Sequence, residues 1–451
     1  MELDLIKRVY FIGAGGIGMS ALARYFKKRG CLVGGYDKTS TVLTRTLEEE
    51  GILISYTDEA SSLPADFEIP ASDLLIVYTP AIPANAVLLN YFRDNGFNLK
   101  KRSQVLGIIS KGQFCIAVAG THGKTTTSSI VAHILTDSGY GCTAFLGGIA
   151  TNYQSNFLLG DNHVVVVEAD EYDRSFLTLH PDIAVITSMD ADHLDIYGDA
   201  EQLHESFHLF AQQLKTGGVL FFKKGLPLNG GITYGVDINA EVQALHIRVE
   251  EGNFVFDYKD QDVSITNIPL MLPGKHNIEN AIVAMAAALK LGIDPEKVKA
   301  AIASFKGVKR RFEYVVREDK HIYIDDYAHH PEELRACFDA VRQLYPDKKM
   351  TVVFQPHLFS RTRDFADDFA KVLSTADELL LLDIYPAREL PMEGIDAEFL
   401  RAKLTLKNSK VYQKEEVLAY VKETQPELLV TVGAGDIDTL IQPLKNILTN
   451  A

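Results

Sequence analysis

The stretch Ala119-Gly120-Thr121-His122-Gly123-Lys124-Thr125-Thr126-Thr127 constrains the fold more than any other part of this sequence. The run before it, Phe114-Cys115-Ile116-Ala117-Val118, has the length and apolar character of a buried parallel strand. After it, Ile130, Val131, Ile134 and Leu135 recur at helical spacing. A glycine-rich turn between a strand and a helix gathers backbone N–H groups and the positive end of the helix dipole at one point, which suits a phosphate. Lys124 is then in reach of terminal phosphates, and the Thr125 hydroxyl in reach of Mg²⁺. The spacing is the short G-T-x-G-K-T form, because Val118 stands where the longer Walker pattern has its first glycine. An ordinary glycine-rich turn is the competing reading.

The chain has 451 residues, and at about 150 residues per domain it has room for about three domains. Its net charge of −15 argues against nonspecific nucleic-acid binding, so an anionic substrate must be held by local basic residues and backbone amides. No segment offers about 18 uncharged apolar residues, and the opening Met1-Glu2-Leu3-Asp4 lacks a basic, apolar leader pattern. The cytoplasm is the expected compartment, with no membrane partner and a monomer or homodimer as the assembly. Cys31, Cys115, Cys142 and Cys337 lack C-x-x-C spacing and read as small hydrophobes.

Three blocks follow one another: residues 1–105, 106–308 and 309–451. The first alternates strand-like runs with helical patterns, which is α/β logic. Its first turn, Gly13-Ala14-Gly15-Gly16-Ile17-Gly18, satisfies G-x-G-x-x-G, and Asp37 ends the second strand where a ribose-binding acid would sit. On spacing alone this predicts NAD. The glycines report only a diphosphate at a helix N-terminus, however, and a nucleotide sugar supplies one as well.

In the second block the buried run Val164-Val165-Val166-Val167 ends in Glu168-Ala169-Asp170-Glu171, and the next strand delivers Asp190-Ala191-Asp192-His193-Leu194-Asp195 to the same sheet edge. Glu168 is placed to face Mg²⁺ and phosphate there, and His193 among acids points to a second cation; Asp170 and Glu171 read equally well as solvated loop charges. His204 and His208, four apart with no third ligand at motif spacing, read as a helix face. Asn277 and Asn280 share one helical side and suit either a purine edge or, for Asn277, an N-cap. Arg310 and Arg311 suit phosphates or a solvated linker equally.

The third block again alternates strands and helices. Its strand ends carry Asp325-Asp326-Tyr327-Ala328-His329-His330, Gln355-Pro356-His357-Leu358-Phe359-Ser360-Arg361, Tyr385-Pro386-Ala387-Arg388-Glu389 and Gly433-Ala434-Gly435-Asp436. Polar side chains concentrated at strand ends exceed what turns need, and they mark a binding edge.

In order along the chain stand GAGGIGMSALA, AGTHGKTTT, VEADEYDRSF, DADHLDIYG, GKHNIENA, GVKRRFE, DDYAHHP, QPHLFSRT, YPARE and VGAGD. With these motifs the chain resembles the Mur ligase family over nearly its whole length, and within it the alanine-adding branch. The resemblance implies three α/β domains: an N-terminal Rossmann-like UDP-binding domain, a central P-loop ATPase-like domain and a C-terminal Rossmann-like domain for the amino acid. It reassigns Gly15, Gly16, Ile17, Gly18, Ser20 and Asp37 from NAD to UDP-N-acetylmuramate. ATP falls to Gly120, Thr121, His122, Gly123, Lys124, Thr125 and Thr126, with Asn277 and Asn280 near adenine, Asp325 near ribose and Arg311 near phosphate. Thr125, Glu168 and His193 are implied to hold two Mg²⁺ ions, and Tyr327, His329, His330 and Arg361 to meet L-alanine and the reacting carboxylate. Lys124, Glu168, His193, His329 and Arg361 form the catalytic set.

No lysine occurs between Leu194 and Leu214, where members that extend the peptide further carry a carbamoylated one, and this fits the alanine-adding branch. Leu358 stands where some members have a basic residue, and Gln104 where many have Glu. A ligase attaching a tripeptide to the same nucleotide sugar, an NAD-dependent oxidoreductase and a noncatalytic nucleotide switch are the alternatives.

Overall fold

The computed structural model describes residues 3–190, 199–250, 252–387 and 389–449. They form two compact units, one of residues 1–246, 256–268 and 279–305, the other of residues 247–255, 269–278 and 306–451. The architecture is α/β with three sheets.

The first sheet has the order β3-β2-β1-β4-β5, from β1 (Arg8–Ile12), β2 (Leu32–Tyr36), β3 (Leu53–Ser55), β4 (Leu74–Tyr78) and β5 (Leu99–Lys101), all neighbours parallel. The chain winds outward from β1 through β2 to β3, then crosses back to β4 on the other side of β1. The crevice beyond the carboxyl ends of β1 and β4 is therefore a switch point, where a ligand fits between loops that diverge. The glycine loop leaves β1 at that point and enters helix α1 (Ile17–Lys28).

The second sheet contains β6 (Phe114–Ala119), β7 (Thr143–Ala150), β8 (Ser155–Leu158), β9 (Val164–Glu168), β10 (Ile183–Ile186), β11 (Val219–Lys223), β12 (Ile232–Val236), β13 (Val242–Glu250), β14 (Asn253–Lys259) and β15 (Ser264–Leu270). Its order is β15-β14-β13-β12-β11-β10-β6-β9-β7-β8, which puts β6 between β10 and β9, parallel to both. Val164 to Val167 are all buried, as a strand covered on both faces requires. Helix α1 packs across β7 and β8 through Tyr25, whose ring lies 5.5 Å from Phe145 and 6.3 Å from Phe157. Burying each such side chain is worth about 1.5–3 kcal/mol.

The third sheet has the order β16-β17-β21-β18-β19-β20, from β16 (Glu313–Arg317), β17 (Ile322–Asp326), β18 (Met350–Phe354), β19 (Glu378–Leu381), β20 (Ser409–Val411) and β21 (Leu428–Val432). Only β16 runs antiparallel to its neighbour. The four polar segments singled out in the third block lie at or beyond the ends of β17, β18, β19 and β21.

All four cysteines are buried and free, and burial pushes the Cys115 and Cys142 thiols up to about 12, which leaves them unreactive at neutral pH. No helix among the described residues is long and apolar enough to cross a membrane.

Candidate active site

The loop after β6 is held by glycine geometry and by the end of β10. Gly120 and Gly123 have φ of +137° and +80°, and a Cβ on Gly123 would come within 2.7 Å of the Asn280 Oδ1. Thr187 Oγ donates to the Ala119 carbonyl at 3.1 Å and also to the His122 carbonyl. Ser188 Oγ accepts from the His122 N–H at 2.7 Å and lies 2.9 Å from the Thr121 hydroxyl. Sequence reading missed Thr187 and Ser188; their signal is a Thr-Ser pair directly after the strand adjacent to β6.

Lys124 opens the helix Lys124–Asp137. Its ammonium donates to the carbonyls of Gly120 at 2.6 Å and Thr121 at 3.3 Å, and it pairs with the buried carboxylate of Glu171 at 2.8 Å. Burial pulls the Lys124 pKa down, but Glu171, Glu168 and Asp170 outweigh it and hold it above the usual lysine value. Of the two acids left open as ligands or loop charges, Glu171 is the lysine's partner and Asp170 pairs with Arg102 at 3.1 Å.

Glu168 ends β9 opposite Val118, the penultimate residue of β6, so it lies beside the phosphate loop. Its Oε2 accepts from the Gly147 N–H at 3.0 Å, and a side chain on residue 147 would collide with this carboxylate. Thr125 is buried in the first helical turn. A hydroxyl in the first turn after the phosphate loop and a carboxylate at the end of the neighbouring strand are hard oxygen donors that fit Mg²⁺. His193 lies outside the described residues. Among the described residues no three His, Cys, Asp or Glu side chains cluster as a metal site by themselves.

Asn280 and Asn277 sit on the helix Lys275–Lys290. Asn280 Oδ1 accepts from the Thr127 hydroxyl at 3.1 Å, which ties it to the phosphate-loop helix, and Asn277 Nδ2 donates to the Pro273 carbonyl at 2.7 Å.

The glycine loop of the first sheet lines a cavity of about 270 Å³ together with Thr79, Arg102, Gly147, Glu168 and Asp170. Gly16, Ile17 and Gly18 form its wall at the start of α1. Asp37 braces this loop, accepting from the Gly15 N–H at 2.7 Å. Ser20 is buried, and its hydroxyl donates to the Ile17 carbonyl at 2.8 Å.

The second unit carries a separate cluster. Arg310 and Arg311 each lie 5.2 Å from the centre of the Tyr327 ring, a cation–π arrangement. Asp325 is fully buried and accepts from Arg310 Nε at 3.1 Å and from the Thr431 hydroxyl at 2.5 Å. Burial raises its pKa, with Arg310 and Thr431 acting against the rise. His329 Nδ1 lies 2.9 Å from the Tyr327 carbonyl, and burial pushes the ring down to about 4, so it is neutral at pH 7. Its ring meets that of His357, which stacks on Tyr385. Arg361, largely buried, lies 3.4 Å from His357 Nδ1. His330 caps the helix Pro331–Leu344 and packs against Phe365, while the Arg311 guanidinium lies 3.9 Å from Glu333. The Tyr327 and His329 rings meet at 5.4 Å, and His357, which sequence reading did not assign, links His329 to Arg361.

Three family models cover most of the sequence: "Mur ligase family, catalytic domain" over residues 8–114, "Mur ligase middle domain" over 118–288 and "Mur ligase, glutamate ligase domain" over 310–435. The chain belongs to the Mur ligase family. As a Mur ligase it is an ATP-dependent ligase. The UDP-N-acetylmuramate--L-alanine ligase of Flavobacterium psychrophilum is 53% identical over 445 residues, 99% of either chain. The solved UDP-N-acetylmuramate-alanine ligase of Thermotoga maritima superposes with a TM-score of 0.83 at 26% identity, covering 98% of each chain. A murein peptide ligase from Psychrobacter arcticus shares the fold with a TM-score of 0.70 at 23% identity, covering 99% of each chain. The Mur ligase middle-domain model spans the phosphate loop, Glu168 and Asn280.

Proposed function

We propose that this Mur ligase joins L-alanine to the lactyl carboxylate of UDP-N-acetylmuramate at the cost of ATP, in peptidoglycan precursor synthesis. The observation that carries the reading is that Gly16 to Gly18 and Glu168 line one cavity, beside the phosphate loop. A dehydrogenase needs no phosphate-loop carboxylate beside its glycine loop, whereas a ligase must bring a nucleotide sugar to ATP. Relatives at about half identity that carry the alanine-ligase name favour L-alanine over a tripeptide as the acceptor.

A carboxylate is a poor electrophile, so the lactyl oxygen first attacks the γ-phosphorus of ATP, the bond to ADP breaks, and an acyl phosphate forms. The amine of L-alanine then attacks the acyl carbon, and inorganic phosphate leaves from the tetrahedral intermediate. Lys124 and the loop N–H groups stabilise the charge that gathers on the phosphoryl oxygens. Thr125 and Glu168, with His193, would hold Mg²⁺, which when bound neutralises the phosphates and the incoming carboxylate. Neutral His329, whose Nδ1 faces the Tyr327 carbonyl, is assigned to the amine of L-alanine as the C–N bond forms. Tyr327, His330 and Arg361 are assigned to the amino acid and the reacting carboxylate, and Asn277, Asn280, Asp325 and Arg311 to ATP. Residues 1–105, 106–308 and 309–451 take the UDP, ATP and amino-acid roles.

Phosphate release with ATP, Mg²⁺ and UDP-N-acetylmuramate tests this, comparing L-alanine, glycine, L-serine and L-Ala-D-Glu-meso-diaminopimelate. Preference for L-alanine with a ligated product by mass is expected. Preference for the tripeptide would move the chain to the recycling reaction, and no release with any acceptor would sink the ligase assignment.

A further inference from the structure

The third glycine of the G-x-G-x-x-G loop ordinarily lets a helix pack close to a strand. Here it makes room for an arginine. A Cβ on Gly18 would lie 2.5 Å from the Arg102 Nη1 and 3.2 Å from its Cδ and Cζ, so the guanidinium rests on the first turn of α1. Arg102 reaches this position because it directly follows β5 and opens the next helix, Arg102–Lys111.

The electrostatics of the cavity give this contact its meaning. Glu168 and Asp170 line the same space, and Arg102 is the one cation among the described residues lining it. An anion entering a cavity with two carboxylates, in a chain of net charge −15, needs a fixed positive group. The Arg102 side chain is 19% exposed and its partner Asp170 is 39% exposed, so this is a half-solvated pair that an incoming anion can exchange at small cost. A planar guanidinium also offers two parallel N–H groups, the geometry that phosphate oxygens accept.

We infer that Arg102 is the diphosphate-binding side chain of the nucleotide-sugar site, holding a phosphate against the α1 N-terminus after leaving Asp170. The inference rests on the reading of the glycine loop as the UDP site. It commits to the diphosphate and not to the lactyl carboxylate, because Arg102 touches α1 at Gly18.

Direct binding to the full-length protein tests it without turnover. UDP, UDP-N-acetylglucosamine, which lacks the lactyl carboxylate, and UDP-N-acetylmuramate would be titrated by calorimetry against wild type, Arg102→Ala, Arg102→Lys and Asp170→Asn, with MgATP as a fold control. Arg102→Ala should weaken all three UDP ligands by about 10- to 100-fold, the loss expected for one charge-assisted pair. Arg102→Lys should fall between, and MgATP affinity should stay within about twofold. Asp170→Asn, which frees the guanidinium, should bind UDP at least as well as wild type. UDP affinity of Arg102→Ala within about twofold of wild type overturns the inference. So does a loss confined to UDP-N-acetylmuramate, or a loss in Asp170→Asn as large as that in Arg102→Ala. Wild type that binds MgATP but no UDP ligand would instead sink the glycine-loop reading beneath it.

Discussion

The ammonium of Lys124 lies 2.8 Å from the carboxylate of Glu171, whose side chain is 1% exposed. The lysine expected to face ATP is therefore held inward, on a carboxylate and two loop carbonyls. Phosphate binding has to compete with these contacts. Glu171→Gln removes the competing charge while keeping the shape, so MgATP should bind more tightly. The protein without nucleotide should lose about 3–5 kcal/mol, because a buried ammonium loses its counter-charge. Thermal melts with and without MgATP measure both effects. A mutant with unchanged melting temperature and unchanged nucleotide shift would show that the pair has no energetic weight. Lys124→Ala should lower kcat by about a hundred- to a thousandfold, leaving UDP binding nearly intact. Unchanged turnover would remove Lys124 from the phosphate site.

Glu168 accepts from the Gly147 N–H and ends β9 beside the phosphate loop that follows β6. Glu168→Gln keeps an oxygen for that N–H and loses the negative charge. The Mg²⁺ concentration for half-maximal phosphate release at fixed ATP should rise by about tenfold or more. A superimposable Mg²⁺ titration would take Glu168 out of the metal site.

His329 and Asp326 pull the acid stability of the second unit in opposite directions. Burial lowers His329 from 6.5 to about 4 against the attraction of Glu333, and burial lifts Asp326 from 3.8 to about 6 against Arg311 and two backbone N–H groups. For His329 the unfolded chain takes the proton first, so its contribution is intact above pH 6.5 and is lost as pH falls through about 4. Asp326 holds its proton better when folded, so its contribution is complete below pH 3.8 and is lost as pH rises through about 6. Each is worth at most about 3 kcal/mol. His329→Gln should gain stability relative to wild type as pH falls from 6.5 to 4, and Asp326→Asn should gain as pH rises from 4 to 6. Urea unfolding at pH 4.5, 5.5 and 6.5 reads the slopes, and parallel profiles for wild type and both variants would contradict the assignment.

What the sequence made legible follows from range. Phe114 to Thr127 read as strand, phosphate loop and helix because local apolar runs and glycines determine all three, and the structure has them as Phe114–Ala119 and Lys124–Asp137. Pairings that depend on distant strands were not legible. Glu171 meets Lys124 across 47 residues, and Arg102 meets Asp170 across 68. Nothing near Glu171 distinguishes it from a solvated charge; the sheet order β10-β6-β9 brings it to the lysine. Backbone strain was equally hidden. Arg310, Phe312 and Leu358 take φ of +61°, +47° and +73°, a region that disfavours such side chains unless the surrounding structure holds them.

Asn156 carries the last prediction. It is fully buried on β8, and its amide nitrogen donates to the Ile17 carbonyl at 2.5 Å and to Ser20 Oγ at 3.1 Å. Its oxygen accepts from Arg24, itself paired with Glu50 at 2.8 Å. The first turn of α1, where the nucleotide sugar is proposed to bind, is thus fixed from the second sheet. Asn156→Ala would leave Arg24 and the Ile17 carbonyl without this partner, and it should cost about 2–4 kcal/mol of stability. Asn156→Asp keeps the acceptor for Arg24 but turns a carboxylate toward the Ile17 carbonyl. It should retain the Arg24 pair and still loosen the turn. The KM for UDP-N-acetylmuramate should then rise severalfold in both variants while the KM for ATP stays near wild type. Equal rises in both KM values would mean that the network supports the whole unit and does not act on the glycine loop.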